Sequence, residues 1–295
     1  MTCGILLLDK PQGLSSNAAL QRVRALYGRV KAGHVGSLDP LATGMLPICL
    51  GEATKVAGDI LAGTKRYRFT VSLGARTATG DAEGEVVERA AVPPLERAAL
   101  ERTLAGFRGV TRQVPPMYSA LKRDGQPLYK LARAGIEVER AAREVQLFEL
   151  TLRGLGTDSL ELETLCSKGT YIRVLAEDLA AALGSCGHVT VLRRVAVQPF
   201  EGEAMHTLEA LRAAHERGEP PPLLPIDFPL QGLPAVTLSA AEGQRLLKGQ
   251  RIAVGAAPLA RMRIYAEGRF LGLGETDAAG TLQPRRLIDA AVSAR

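Results

Sequence analysis

The sequence predicts an α+β fold, with a first domain built on a mixed, mainly antiparallel sheet and a small second domain of short strands. Segments with strand periodicity and segments with helical periodicity follow one another without the regular alternation that is typical of a doubly wound parallel sheet. A connector at 218–234, GEPPPLLPIDFPLQGLP, contains six prolines and indicates a domain boundary. The length of 295 residues suits two domains, which we expect over 1–230 and 235–292.

The first expected elements are a strand and a helix. Residues 5–8 form an apolar run, ILLL, that is typical of a buried strand. A turn follows, and the hydroxyl of Ser15 or Ser16 can cap a helix that ends near Gly28. These two elements begin the first domain.

Alternation of apolar and polar residues predicts the next strands. Residues 46–50 alternate in this way, and a short helix is expected to begin near Glu52. The alternation is strict over 65–73, where Tyr67 and Phe69 lie on one side and arginines occupy the other. A half-buried strand is therefore expected there.

The rest of the first domain contains further helical and strand-like runs. Two prolines precede one helical pattern, and two strand-like runs flank a turn-rich segment at 154–159, which predicts that they pair. The expected elements are helices over 93–104, 128–134 and 172–183 and strands over 145–153, 160–166 and 189–197.

The second domain is expected to contain a β-hairpin. In RMRIYAEGRFLGLGE, residues 261–275, Glu267 and Gly268 stand between two alternating runs. Short strands around turn residues are typical of small β-domains.

Composition restricts the possible partners. The net charge is +6 with a pI near 9.3, which suits a polyanionic partner such as RNA. Aromatic residues make up only 4%, so rows of base-stacking side chains are not expected to dominate binding.

The four cysteines are widely spread without a C-x-x-C pair, which favours a reduced, cytoplasmic protein. No apolar run is long enough to span a membrane, and no histidine and cysteine spacing predicts a metal site.

One carboxylate stands out in the segment GHVGSLDPLATGMLP, residues 33–47. The glycines permit backbone conformations that are closed to other residues, and Pro40 biases Asp39 toward an extended conformation. An Asp-Pro pair alone is usually a turn or the start of a helix. The surrounding glycines instead indicate a loop that directs the Asp39 side chain.

Five separated blocks resemble those of the TruB-type pseudouridine synthases, which isomerise a uridine within folded tRNA. They are the segment just described and GILLLDKPQGLSSNAAL (4–20), KRYRFTVSLG (65–74), QVPPMYSALKRDG (113–125) and CSKGTYIRVLAEDL (166–179). The blocks occur in the family's order. The resemblance implies the pseudouridine synthase fold, a tRNA substrate modified at uridine 55 of the T-loop (tRNA numbering), and no cofactor. The region after the connector resembles a PUA-type RNA-binding module, a small β-barrel.

The resemblance also assigns roles to individual residues. Asp39 would be the catalytic residue and Arg173 its ion-pair partner, and both Arg173 and Tyr171 would face the active site. Tyr67 would stack on the target base and take part in a later proton transfer from carbon. On periodicity alone, Tyr67 would be a core residue beside Phe69.

Further residues are implied in substrate binding. His34 would contact the flipped-out RNA loop and Leu192 would line the uridine pocket. Lys10 and Pro11 would support the catalytic loop. A group of basic residues forms candidate phosphate contacts, although such charges are usually solvated. The group comprises Lys122, Arg123, Lys130, Arg133, Arg193 and Arg194.

Pseudouridine formation breaks the bond between base and ribose and rejoins the base through carbon. A single ionised carboxylate can attack the sugar or the base, or remove a sugar proton, and the sequence leaves these routes open. Two other functions are considered: a non-catalytic tRNA-binding or tRNA-folding protein, and a hydrolytic glycosylase. A glycosylase would use a second carboxylate, and the sequence offers no convincing partner for Asp39. Nothing in the sequence indicates an oligomer, so a monomer is expected.

Overall fold

A computed structural model describes residues 2–255 and 257–288. The strands are β1 (Gly4–Lys10), β2 (Ala32–His34), β3 (Thr43–Leu50), β4 (Lys65–Leu73), β5 (Ala75–Thr77), β6 (Val86–Arg89), β7 (Gly109–Gln113), β8 (Lys122–Arg123), β9 (Gln126–Pro127), β10 (Arg143–Leu155), β11 (Ser159–Cys166), β12 (Gly187–Val197), β13 (Ala235–Leu238), β14 (Ile252–Ala253), β15 (Leu259–Ala266), β16 (Arg269–Thr276) and β17 (Thr281–Leu287). The helices are α1 (Ser16–Leu26), α2 (Ala57–Ala62), α3 (Arg97–Phe107), α4 (Leu128–Arg133), α5 (Ile172–Ala182), α6 (Leu208–Glu216) and α7 (Ala240–Leu247), with 3₁₀ turns at Gly51–Val56 and Phe228–Leu230.

The main sheet has eight strands in the order β1-β3-β12-β4-β11-β10-β7, with β2 added beside β3. Its pairs are antiparallel except for β3 and β12, which run parallel. The C-terminal sheet has five strands in the order β13-β15-β16-β17-β14. The expected fold class, a mixed and mainly antiparallel sheet followed by a small β-domain, is confirmed.

Two hydrophobic cores cover the main sheet. On one face, Phe69 of β4 and Leu162 of β11 pack with helices α1, α3, α5 and α6. On the other face, Ile5 of β1 packs with Phe200 and with Phe270 of the C-terminal sheet. The two sheets therefore share one core, because apolar side chains from both are buried in it.

Most of the expected elements are confirmed, with small shifts at their ends. Helix α1 begins where predicted, because the Ser15 hydroxyl accepts a hydrogen bond from the amide of Ala18. The helix expected from residue 93 begins only at Arg97. Pro93 and Pro94 stay outside it because the residue before a proline is driven toward extended backbone.

The proline-rich connector is more ordered than a free linker would be. Leu224 and Ile5 exchange two backbone hydrogen bonds of 2.9 Å, so the connector lies along β1. The division into 1–230 and 235–292 stays a prediction, and residues 289–292 lie outside the described part of the chain.

Within the described residues, no helix has the length and apolar character needed to cross a membrane.

Candidate active site

Asp39 lies in a loop that runs from β2 to the start of β3. Gly36 and Gly44 flank it with φ values of 73° and 96°, which L side chains rarely adopt. A Cβ at Gly44 would lie 2.2 Å from the carbonyl oxygen of Arg194, so only glycine allows this close approach of β3 and β12. The glycines therefore fix the path of the loop.

Asp39 and Arg173 form an ion pair, as expected. The Asp39 Oδ2 atom lies 2.9 Å from Arg173 Nε. The Asp39 side chain is 39% exposed and that of Arg173 only 5%, so the carboxylate faces an opening while its partner is buried beneath it. This arrangement presents one carboxylate to a substrate.

The remaining Arg173 donors are held by main-chain oxygens. Nη1 donates to the carbonyl of Thr79 at 2.5 Å, and Nη2 donates to the carbonyl of Tyr118 at 2.6 Å. Because three separate segments contact one planar guanidinium, its orientation toward Asp39 is fixed. Residue type does not mark Thr79 or Tyr118 in the sequence, since any residue offers the same carbonyl.

Tyr171 is the residue that precedes helix α5. Its amide donates to Gln113 Oε1 at 3.0 Å, and its carbonyl accepts from Gln113 Nε2 at 3.3 Å. The buried Gln113 side chain therefore fixes the main chain two residues before Arg173. Burial raises the pKa of the Tyr171 hydroxyl, and Arg173 and Asp39 are both close enough to act on this pKa.

A second carboxylate, that of Asp81, lies close to Arg173 in a buried position. Asp81 Oδ2 is 3.7 Å from Arg173 Nε, and the side chain is buried. Asp81 Oδ1 accepts from the Thr79 hydroxyl at 2.6 Å and from the Glu83 amide at 3.1 Å. Asp81 thus belongs to the support of Arg173 and does not face the opening. Its neighbours Gly80 and Gly84 repeat the glycine-flanked acid that drew attention to Asp39, and this signal could have found it.

Burial raises the pKa of Asp39 above its ordinary value. The positive charge of Arg173 opposes this rise, the negative charge of Asp81 adds to it, and Lys10 lowers it slightly. The charge of Arg173 is therefore the strongest interaction that favours the ionised form of Asp39.

Tyr67 lies on β4 opposite Arg194 of β12. Burial raises the pKa of the Tyr67 hydroxyl, while the charge of Arg194 and a hydrogen bond from it oppose the rise. Asp39 is also close enough to act on this pKa. Leu192, two residues earlier on β12, is opposite Phe69 and is buried in the core. The sheet therefore brings Tyr67 toward Asp39 and places Leu192 on the same face.

His34 lies at the end of β2, and its Nδ1 atom is buried without a hydrogen-bond partner among the described residues. Burial lowers the pKa of His34, and the nearby charge of Arg194 lowers it further. The neutral imidazole is therefore favoured.

Lys10 contacts the catalytic loop, as expected, because its ammonium donates to the carbonyl of Pro40 at 3.4 Å. Its buried ammonium donates to the carbonyls of Pro11 at 2.9 Å and Leu14 at 2.6 Å. Burial lowers the pKa of Lys10 to about 8, and the charge of Asp39 opposes this change. Lys10, Arg173 and Arg194 are all buried close to the site, which makes its interior electropositive.

The six candidate phosphate contacts do not behave as one group. Arg194 is 1% exposed, so its assignment to the surface was wrong. Arg193, its neighbour, points to the other face and forms a two-bond pair with Asp9 at 2.9 and 2.8 Å. The other four side chains are exposed: Lys122, Arg123, Lys130 and Arg133.

Across residues 2–255 and 257–288, no three side chains of His, Cys, Asp or Glu come together in a way that could hold a metal ion. At the site, the described groups offer an accessible carboxylate at Asp39, a phenol and buried cations.

Family descriptions match nearly all of the chain. "TruB family pseudouridylate synthase (N terminal domain)" matches residues 24–172, "tRNA pseudouridylate synthase B C-terminal domain" matches 173–230, and "Pseudouridine synthase II TruB, C-terminal" matches 234–288.

Curated relatives and solved structures agree with these matches. A Chromohalobacter salexigens protein named tRNA pseudouridine synthase B is 51% identical over 291 residues, covering 98% of this chain and 95% of the relative. A protein of the same name from Aromatoleum aromaticum is 50% identical, covering 99% and 94%. A chain in a structure of an H/ACA RNP bound to a substrate RNA superposes with a TM-score of 0.71 at 20% identity, covering 96% of this chain and 84% of that one, which supports the fold. The family matches and the full-length relatives lead to one conclusion: this chain belongs to the TruB family of pseudouridylate synthases.

Proposed function

We propose that this enzyme isomerises a uridine of tRNA, at position 55 of the T-loop (tRNA numbering), to pseudouridine, and that Asp39 is the catalytic residue. The observation that carries the proposal is the ion pair between the accessible Asp39 carboxylate and the buried Arg173 guanidinium. The choice of tRNA follows the names of the full-length relatives. The T-loop position follows from the resemblance of the sequence blocks.

In this proposal, Asp39 acts in its ionised form at the bond between base and ribose. A carboxylate there can stabilise or trap the electron-poor sugar that remains when the bond breaks. Arg173 keeps the carboxylate ionised and oriented, and the buried cations favour the negative charge that develops on the detached uracil. Asp81 and the two main-chain carbonyls hold Arg173 in place.

The target uridine must leave its stack to reach Asp39, and new contacts must replace the lost stacking. Tyr67 is proposed to stack on the extruded base, with Leu192 and Tyr171 lining the pocket. The half-buried His34 is proposed to contact the flipped-out RNA loop. The exposed basic residues from Lys122 to Arg133 are proposed to contact phosphates.

The substrate proposal is tested with an unmodified tRNA transcript that carries tritium at carbon 5 of its uridines. We expect tritium release to water at one equivalent per tRNA, and no release from a transcript with cytidine at position 55. Release that persists with this second transcript would contradict the T-loop assignment. Free uracil would favour a hydrolytic glycosylase, and tight binding without any release would favour a non-catalytic RNA-binding protein.

The C-terminal sheet is proposed to be a PUA-like module that contacts RNA. Deleting it would uncover the core that Phe270 shares with Ile5, so the test uses the full chain. The exposed Arg251 and Arg269 are replaced together by glutamate. We expect weaker tRNA binding and a slope of log affinity against log salt that is smaller by roughly one per lost phosphate contact. The exposed Arg217, in an ion pair with Glu219, provides the matched control as Arg217→Glu. Equal salt slopes for wild type and the double variant would contradict the proposal that this sheet contacts RNA.

We further propose that the enzyme acts as a monomer in the cytoplasm. The four cysteines are free thiols, as is usual for proteins in reducing compartments. Sedimentation measured with and without tRNA reports the number of chains in the active species.

A further inference from the structure

Arg194 is a buried charge to which the proposed mechanism gives only a general electrostatic role. It is 1% exposed, and none of the described carboxylates forms an ion pair with it. An isolated buried charge is costly unless hydrogen bonds compensate it. A function that requires a permanent positive charge at this place would explain why an arginine occupies the core.

The guanidinium connects the two ends of the catalytic loop. Nε donates to the carbonyl of Met45 at 2.7 Å, and Nη2 donates to the carbonyl of Gly36 at 2.8 Å. A Cβ at Gly36 would lie 3.2 Å from Arg194 Nη1, so the loop packs closely on this group. Along the chain, Asp39 lies between Gly36 and Met45, the two residues whose carbonyls accept hydrogen bonds from Arg194.

The same guanidinium faces Tyr67. The two residues are direct partners in the antiparallel pairing of β4 and β12, and their side chains lie on one face. Asp39 and the Cys166 thiol also act on Tyr67, and the buried Lys65 of the same strand lies close enough to interact with Arg194 and Cys166. Burial raises the pKa of Cys166 to about 11, so this neighbour is neutral near pH 7. Arg194 is therefore the cation that opposes the effects of burial and of Asp39 on the Tyr67 hydroxyl.

We propose that Arg194 is a positioning residue for the isomerisation, holding the phenol oxygen of Tyr67 in place and stabilising its ionised form, which accepts the proton from carbon 5 of the rejoined base. This inference rests on the proposed function, since it requires a base attached to ribose through carbon 5.

The proton balance of this step is simple. When carbon 5 has bonded to the ribose, it still carries its hydrogen. The hydrogen leaves as a proton to the Tyr67 phenolate, and the C–H electron pair restores the double bond between carbons 5 and 6. The negative charge then rests on N1 of the base, which takes a proton from solvent water. The hydroxide formed removes the proton from the Tyr67 phenol, so the product is an isomer of the substrate and the enzyme is regenerated.

The test measures single-turnover rates across pH on tRNA with hydrogen or deuterium at carbon 5. Arg194→Met removes the charge at similar length, and Arg194→Lys keeps it. We expect Arg194→Met to slow turnover by roughly 10²-fold at pH 7, the lower end of what a general base contributes. Its rate should recover toward alkaline pH, with the apparent pKa raised by about one unit or more, because the phenolate has lost its stabilising charge. A larger deuterium effect than in wild type should appear, and Arg194→Lys should restore part of the rate.

Tyr67→Phe separates this inference from the proposed function. If Arg194 acts through Tyr67, Arg194→Met should add little to the defect of Tyr67→Phe. If the Tyr67→Phe variant turns over at the wild-type rate, the proposed role of Tyr67 itself is contradicted. If the Tyr67→Phe variant is slow but a folded Arg194→Met variant has the wild-type rate and pH profile, only the proposed role of Arg194 is overturned. Fully additive defects would also overturn it, since Arg194 would then act on the loop alone. Arg194→Gln, which can still donate to one loop carbonyl, replaces the methionine variant if that variant does not fold.

Discussion

Asp39→Asn is expected to lower kcat for pseudouridine formation by roughly 10⁴-fold or more, the loss typical of removing a group that reacts directly with substrate. The amide keeps the size of the side chain and loses its negative charge, so it can neither attack the ribose or the base nor stabilise the electron-poor sugar. Tritium release from carbon-5-labelled tRNA measures the effect. The dissociation constant for tRNA should change little, because the carboxylate contributes no attraction to phosphate.

Two variants sharpen this experiment. Asp39→Glu retains the charge but moves it by one methylene away from its pairing with Arg173, and a displacement of about 1 Å can cost roughly 10²-fold in rate. Asp158→Asn, in the exposed turn between β10 and β11, is the matched control and should have the wild-type rate. Unchanged tritium release by a correctly folded Asp39→Asn enzyme would contradict the proposal that Asp39 is the catalytic residue.

Arg173→Met is expected to lower kcat by roughly 10²- to 10³-fold at pH 7, as removal of a preorganised charged donor does elsewhere. It should also move the acid limb of the pH profile upward. The guanidinium favours the ionised form of Asp39, so its loss allows burial and the negative charge of Asp81 to raise the pKa of Asp39 further. Since the ionised form is the active one, activity is then lost at a higher pH as the solution is acidified, and part of it returns toward alkaline pH.

The measurement is kcat against pH for wild type, Arg173→Met and the control Arg217→Met. Arg217 is exposed and pairs with Glu219 on the surface, so its variant should titrate like wild type. Melting temperatures must accompany the rates, because Arg173 also holds the segments of Thr79 and Tyr118. An acid limb that stays in place in a folded Arg173→Met enzyme would contradict the proposed control of Asp39.

Periodicity predicts most of the fold because a strand or helix that covers a core repeats its apolar residues regularly. The strict alternation over 65–73 and the helical spacing after Tyr171 are examples, and both elements are present. Strand β6 was not predicted. All four of its residues are exposed, so no buried face marks it in the sequence.

The active site was predicted only in part, and the physical reason differs from residue to residue. Asp39 and Arg173 are recognisable because their chemistry depends on their side chains. Thr79 and Tyr118 contribute carbonyl oxygens to Arg173, and a main-chain group leaves no trace in residue type. Which distant segments meet at one guanidinium is set by the tertiary structure alone.

The prediction that Arg194 lies on the surface was wrong, although the sequence contains the information to correct it. Arg193 and Arg194 are adjacent on a strand, so they must point to opposite faces. Leu192 is two residues from Arg194 and therefore shares its face, which is the buried one. Treating the two arginines as one surface group overlooked this alternation.

The pairing of Leu224 with Ile5 has a consequence for how the catalytic sheet avoids self-association. Strand β1 is the outermost strand of the main sheet, and an uncovered outer strand is a template on which another chain can add. The connector occupies this position at Ile5, and His206 does so further along, by exchanging backbone hydrogen bonds with Leu7 and Asp9. The connector that leads to the C-terminal sheet thus also covers this edge, and a catalytic fragment that stays free of aggregation is expected to extend beyond Leu224.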